Sequence, residues 1–306
     1  MRAIVIGNFD GVHLGHQRLF AAARVRAAEV WAVTFEPLPA AVLRPDVPMG
    51  RLTPAQERAE HLRALCGVRE VLELEPTPEL LGRTPEQFIE ALAQNVAFDL
   101  VVEGPDFRFG RARAGSVETL RELGASRGFA VEVVDAVEVE LSDGSRVEAR
   151  SSMARALLAE GRVADAARVF GRPYELRCPT TRGDQRGRTI GWPTANLDAT
   201  GRILPADGVY AGEATLPDGR IAIAAISVGT KPTFGESART CETTLLAPSG
   251  QPLALPLDWY GWPLRVRFHE RIRGMERFDG LSALLEAMER DRGAIVHAMR
   301  SHEGLR

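Results

Sequence analysis

Residues 1–16, MRAIVIGNFDGVHLGH, run a short apolar segment, Arg2–Ile6, into a glycine-rich turn and then into an Ala- and Arg-rich stretch, Leu14 to Glu29. An apolar run of that length ending at a glycine reads as a buried strand, and the stretch after it reads as a helix. The turn between them, GNFDGVH, therefore sits at a helix N-terminus, where unpaired N–H groups and positive potential suit an anionic group such as phosphate. Gly7, Gly11 and Gly15 let backbone approach a ligand closely. His13 and His16 are three residues apart and share one side of the first helical turn, where both imidazoles can donate to phosphate oxygens as charge builds on them.

Outward from this unit, strands and helices alternate. Trp31–Phe35, Glu70–Glu75, Leu100–Glu103 and Ala130–Val134 read as strands. Thr53-Pro54-Ala55-Gln56 and Thr84-Pro85-Glu86-Gln87 carry capping-box signals with Pro at the first helical position, and a helix is expected over 116–126. Such alternation predicts a doubly wound parallel sheet, which binds ligands beyond the carboxyl ends of its strands. Two short helices follow Ser152 and end near Phe170. The texture then changes to frequent Gly and Pro, with Asp218-Gly219 between two alternating apolar runs as a hairpin signal. Val209–Thr215, Ile221–Val228 and Leu264–Phe268 read as antiparallel strands of a small β-barrel, and Leu281 to Met299 as a terminal helix packed on it. The expected domains are 1–170 and 171–306.

Composition narrows the chemistry. The chain has 306 residues with a formal net charge of -3, which argues against nucleic acid or an anionic membrane as the main partner. Of 38 basic residues one is a lysine, Lys231, and no GxxxxGK[ST] loop is present, which excludes a Walker-type ATPase. Cations that grip phosphate are then arginines. The three cysteines, Cys66, Cys178 and Cys241, lack CxxC spacing and read as reduced thiols of a cytoplasmic protein. A signal-peptide pattern is not expected from the N-terminus, nor a membrane span from any apolar run.

The opening turn resembles the HxGH nucleotidyltransferases. Its fuller form, G-x-F-D-G-x-H-x-G-H, is similar to the prokaryotic bifunctional riboflavin kinase/FMN adenylyltransferase family, and the resemblance extends over nearly the whole chain. TFEPLP (34–39) resembles a family segment that usually reads FEPHP, with Leu38 in place of the His. GPDFRFG (104–110), followed by Arg113 and Gly115, resembles the family's G-x-D-F-R-F-G turn beside nucleotide and flavin. ARSSMAR (149–155) resembles I-S-S-T-x-I-R. Alone, each of these is also what a strand-end loop or a capped helix start shows. Together the resemblance implies His13 and His16 as catalytic groups, Gly7, Asn8, Phe9, Asp10, Gly15, Ser152 and Arg155 as ATP-binding residues, and Asp106 and Phe107 as flavin- or nucleotide-binding residues. The implied reaction is in-line attack of the FMN phosphate on the α-phosphorus of ATP, giving FAD and pyrophosphate, with Mg²⁺ neutralising the triphosphate.

In the second half, RGDQRGRTIGWPTANL (182–197) is glycine-rich and basic, with a hydroxyl and an amide at its end. On its own it is equally a polar loop. It resembles the riboflavin kinase signature G-x-x-x-G-R-x-x-G-x-P-T-A-N, and LPADGVYAG (204–212), VGTKPTFG (228–235) and RFHERIRGMERF (267–278) continue the resemblance. This implies Gly183, Arg188, Thr194 and Asn196 as the ATP/phosphate site, Thr194 and Asn196 as Mg²⁺ ligands, and Glu242 as general base for the ribityl hydroxyl of riboflavin. Cys178 stands where the family has Gly, Ser227 where it has Asn, and Thr244, Ala247 and Pro248 replace its usual run after the base. These departures keep open an enzyme that only adenylylates FMN and carries a degenerate flavin-binding domain. A flavin- or RNA-binding regulator and an aminoacyl-tRNA synthetase fit less well: the HxGH turn and Glu242 are intact, the chain is short and mildly acidic, and no KMSKS-like loop is present. ATP, riboflavin and FMN are the expected small-molecule partners. Oligomeric state is not readable.

Overall fold

The computed structural model describes residues 1–47, 49–182, 191–230, 239–253 and 260–303. The chain divides into two compact units, 1–140 with 144–151, and 141–143 with 152–306.

In the first unit the elements are β1 (Arg2–Ile6), α1 (Leu14–Arg26), β2 (Glu29–Phe35), α2 (Pro39–Leu43), α3 (Ala55–Cys66), β3 (Glu70–Leu74), α4 (Pro78–Leu81), α5 (Pro85–Asn95), β4 (Leu100–Glu103), α6 (Val117–Arg127), β5 (Ala130–Val133), and a hairpin of β6 (Glu138–Glu140) and β7 (Arg146–Glu148). The five long strands form a parallel sheet in the order β3-β2-β1-β4-β5. Apolar side chains alternate between its faces: Ala3 and Val5 pack with Phe20, Leu62 and Cys66, while Ile4 and Ile6 pack with Ile89, Leu92 and Leu120. The doubly wound sheet expected from the alternating pattern is present. Connections run outward in opposite directions from β1 and β4, so the crevice beyond those two strands is the switch point.

The second unit holds α7 (Ser151–Ala159, from its second residue), α8 (Val163–Phe170), β8 (Tyr174–Thr181), β9 (Thr194–Leu197), β10 (Gly208–Thr215), β11 (Ile221–Thr230), β12 (Arg239–Leu246), β13 (Pro263–Arg273) and α9 (Leu281–Glu303). The strands close into a barrel in the order β10-β11-β12-β9-β8-β13. The apolar face of α9, with Ile295, Val296 and Met299, covers Ala211 and Ile223 on the barrel's outer surface. Residues 152–170 group with this barrel in compactness, while the domains expected from the sequence are 1–170 and 171–306. The cause is local: Ala206 N–H donates to Leu158 O at 2.8 Å, and Asp165, buried on α8, accepts from Ser142 N–H at 2.7 Å and from Arg162 at 2.9 Å.

The two capping signals part company. At Thr84 the box forms, with the hydroxyl accepting from Gln87 N–H and the Gln87 side chain accepting from Thr84 N–H. Thr53 does not cap: the N-cap of α3 is Pro54, without a side-chain bond, because Thr53 is engaged by the β1–α1 turn described below. The hairpin over 138–148 carries no strong signal in the sequence, having three-residue strands of mostly charged side chains.

The barrel wall is crowded at Gly212. A Cβ built on Gly212 would lie 2.1 Å from Arg267 O and 2.7 Å from Ile226 Cδ1, beside a register shift between β10 and β13. Gly212→Ala is therefore expected to destabilise the barrel by about 1–3 kcal/mol. Urea unfolding checks this, and an unchanged midpoint would contradict it.

Candidate functional site

The β1–α1 turn is strained. Phe9 has φ 49°, Gly11 89° and the β-branched Val12 40°. Positive φ is uncommon for Phe and a genuine outlier for Val, and it persists only where neighbours over-determine it. They do here. The Asp10 carboxylate, buried, accepts from Thr53 N–H at 2.9 Å and Leu52 N–H at 3.3 Å. Thr53 Oγ1 accepts from Gly11 N–H at 2.9 Å, and Ser151 Oγ donates to Asp10 O at 2.7 Å. The Phe9 ring is buried against Phe20 and meets His16 edge-on at 5.2 Å. Of the residues implied as ATP-binding, Asp10 and Phe9 thus spend their side chains on the turn itself.

Gly15 has a steric reason to be glycine: a Cβ there would sit 2.6 Å from Ala149 O and 3.1 Å from the His13 ring. A Cβ on Gly7 would meet the Phe9 ring at 3.0 Å. His13 is the N-cap of α1, its Nδ1 accepting from His16 N–H at 3.4 Å. That acceptor role places the ring proton on Nε2. The two imidazoles stack with centroids 3.5 Å apart. They form one paired surface at the start of the helix, as the three-residue spacing predicts.

Of the remaining candidates, Asp106 and Phe107 lie in the loop after β4, and Ser152 and Arg155 on a helix. Asp106 is exposed and accepts from Arg150 at 2.8 Å, and Arg150 also pairs with Glu148. Phe107 stacks on Phe109 at 5.4 Å. Leu38, which replaces the family's His, is buried at the N-cap of α2. Ser152 and Arg155 lie on α7 among the residues that group with the second unit.

Three groups near the turn escaped the sequence reading. Thr34 Oγ1 donates to Asn8 O at 3.3 Å. Arg58, with no exposed surface, reaches the same oxygen. Glu103, at the carboxyl end of β4, is buried and accepts from Ile6 N–H at 2.6 Å. The signal for Glu103 was a carboxylate ending an otherwise apolar strand at the switch point. Burial pushes its carboxyl well above the usual range, and the Ile6 amide offsets only part of that.

In the second unit, the register sets Ser227 opposite Glu242, and Glu242 opposite Asn196, across β11, β12 and β9. Two residues along, Ala225, Thr244 and Thr194 form a parallel row. Side chains two apart share a strand face. Except for Asn196, these residues line one cavity of about 210 Å³ with Trp192, Phe278 and Met288. Arg273 of β13 also lines it and clasps Asp291 of α9 through bonds of 2.8 and 2.7 Å. Glu242 with the hydroxyls of Thr194, Ser227 and Thr244 in a largely apolar slot suits a planar ligand bearing a reactive polar tail. Thr194 and Asn196 offer hard neutral oxygens, the donor type Mg²⁺ accepts when phosphates and waters complete its shell. Among the described residues no cluster of three His, Cys, Asp or Glu side chains could hold a metal alone. Of the departures, Ser227 and Thr244 line the cavity, and Cys178 is a small buried residue of β8 opposite Leu264. Gly183 and Arg188 lie outside the described residues.

The family model for FAD synthetase matches residues 1–147, and that for riboflavin kinase matches 170–299. Over 292 residues the chain is 34% identical to the bifunctional riboflavin kinase/FMN adenylyltransferase of Pseudomonas fluorescens, covering 94% of this chain and 89% of that protein. The chain belongs to the bifunctional riboflavin kinase/FMN adenylyltransferase family. The family's member in Escherichia coli (strain K12) is 32% identical over 299 residues, covering 94% of this chain and 90% of its own. A crystal structure described as a macrolide-efflux protein from Streptococcus pneumoniae superposes with a TM-score of 0.82 at 28% identity, covering 96% of this chain and 93% of that one. Among the described residues no helix is long and apolar enough to cross a membrane.

The raised carboxyl of Glu103 has a measurable consequence. Its folded form binds the proton more tightly than the unfolded chain does, so its contribution to stability falls as pH rises from the unfolded value near 4.5 through the folded one. Glu103→Gln is expected to melt with the parent at or below about pH 4.5, and increasingly above it as pH rises to 8. Parallel melting curves across that range would contradict the assignment.

Proposed function

We infer that the chain carries out two consecutive steps: phosphorylation of riboflavin to FMN at the barrel, and adenylylation of FMN to FAD at the parallel-sheet unit, both with ATP. The observation that carries the reading is the paired His13–His16 surface at the strained turn of one unit, together with the Ser227–Glu242–Asn196 row over the cavity of the other. Matches to both family models support two activities rather than one with a silent second domain.

At the turn, a phosphate oxygen of FMN attacks the α-phosphorus of ATP, the bond to the bridging oxygen of the β-phosphate breaks, and pyrophosphate leaves. No protein nucleophile is required; holding and charge stabilisation carry such reactions. His13 Nε2–H and the His16 ring donate to phosphate oxygens as charge accumulates. Gly7, Asn8 and Gly15 supply close backbone approach. Ser152 and Arg155 are assigned to the departing pyrophosphate, Asp106 and Phe107 to the flavin nucleotide, and residues 152–170 to this activity.

At the barrel, Glu242 takes the proton of the terminal ribityl hydroxyl while that oxygen attacks the γ-phosphorus of ATP and ADP leaves. The apolar walls of the slot orient the flavin ring. Thr194 and Asn196 are the residues that would hold Mg²⁺, which neutralises phosphate charge when bound. Gly183 and Arg188 are assigned to the nucleotide phosphates on the sequence resemblance alone. ATP, riboflavin and FMN fit these assignments as the small-molecule partners.

His16→Ala is expected to lower FAD formation from FMN at least a hundredfold and to leave FMN formation from riboflavin intact; Glu242→Ala is expected to do the reverse. Chromatographic separation of products checks both. Loss of both activities from either single change in a folded protein would refute the two-site assignment.

A further inference from the structure

Arg58 lies on α3 with no exposed surface, an expensive place for a guanidinium. Its Nη2 pairs with Glu36 at 3.1 Å and Glu73 at 3.5 Å and donates to Phe35 O at 3.2 Å. Its Nη1 donates to Asn8 O at 3.4 Å. Its Nε is buried and meets no hydrogen-bond partner among the described residues. Glu36 is shared with Arg51, at 2.7 and 3.1 Å. One cation therefore ties the carboxyl ends of β2 and β3 to the turn after β1.

The contact with Asn8 matters because a peptide unit is planar and trans. The carbonyl of residue 8 and the N–H of residue 9 point in opposite directions. Two donors, Arg58 and Thr34, draw the Asn8 oxygen toward α3 and β2. The Phe9 N–H is thereby turned the other way, and it meets no acceptor among the described residues. Phe9 has left-handed φ, and amides in alternating left- and right-handed backbone form concavities that bind anions.

We propose that Arg58 is a positioning residue for nucleotidyl transfer: by anchoring the Asn8 carbonyl from beneath, it aims the Phe9 N–H at a phosphate oxygen of ATP. This rests on the reading of the turn as the adenylyl-transfer site. The requirement is for a buried positive charge under the carbonyl, so lysine satisfies it and a neutral side chain does not.

The test uses the full chain, with FMN formation as an internal reading of the other unit. Arg58→Met paired with Glu36→Gln removes one charge of each sign, which separates the anchor from a general cost of unpaired charge. The double variant is expected to melt within a few degrees of the parent and to keep the parental rate of FMN formation. Its kcat/KM for ATP in FAD formation is expected to fall at least tenfold. Arg58→Lys is expected to fold and to stay within about threefold of the parent in FAD formation. A folded double variant with parental FAD formation would overturn the proposal. So would a folded Arg58→Lys protein with a tenfold loss, and that arm stands even if the double variant does not fold. Failure of the parent itself to make FAD would instead refute the reading of the site.

Discussion

The Asp10 carboxylate, bonded to the backbone N–H groups of Leu52 and Thr53, is the contact on which the first unit's site depends. It joins the turn after β1 to the segment before α3, and it does so from the middle of a turn in which Phe9 and Val12 hold positive φ. Each such residue costs of order 1–3 kcal/mol. A buried carboxylate with charge-assisted bonds can offset a cost of that size, since hydrogen bonds to charged groups contribute about 1.5–3 kcal/mol. The conformation so maintained holds two stacked imidazoles at the start of α1, just beyond the carboxyl end of β1.

Supporting contacts come from several elements at once. α3 reaches up through Arg58, β2 through Thr34, and Ser151 holds the Asp10 carbonyl. β4 contributes Glu103, whose side chain takes the Ile6 amide where β1 and β4 diverge. The β1–β4 ladder pairs Ala3 with Leu100 and Ile4 with Val101, and two residues further along each strand the Glu103 side chain takes the Ile6 amide. The barrel uses a different plan. Its candidate residues sit on regular strands, with positions fixed by register, and the strain-free row Ser227–Glu242–Asn196 needs no clamp.

The sequence made the architecture legible where the patterns were periodic. The alternation of the first half, the Asp218-Gly219 hairpin and the terminal helix each correspond to an observed element. Local signals failed where tertiary contacts competed for the same groups. Thr53 and Thr84 have nearly the same capping pattern, and only Thr84 caps, because Asp10 and Gly11 occupy Thr53. α7 and α8 follow the first unit in sequence, and the bonds of Leu158 and Asp165 tie them within the second compact unit. Phe9 and Asp10 belong to the turn's own framework, and Arg58, with no motif around it, lies under that turn.

Two ATP-dependent steps in one chain, acting in sequence on a flavin, leave a signature in time. In a time course of the unmodified protein with riboflavin, ATP and Mg²⁺, with flavins and pyrophosphate followed together, FMN is expected to appear first without pyrophosphate, and FAD to follow with one pyrophosphate released per FAD. FAD formed from supplied FMN but never from riboflavin, or pyrophosphate released during the first step, would contradict it.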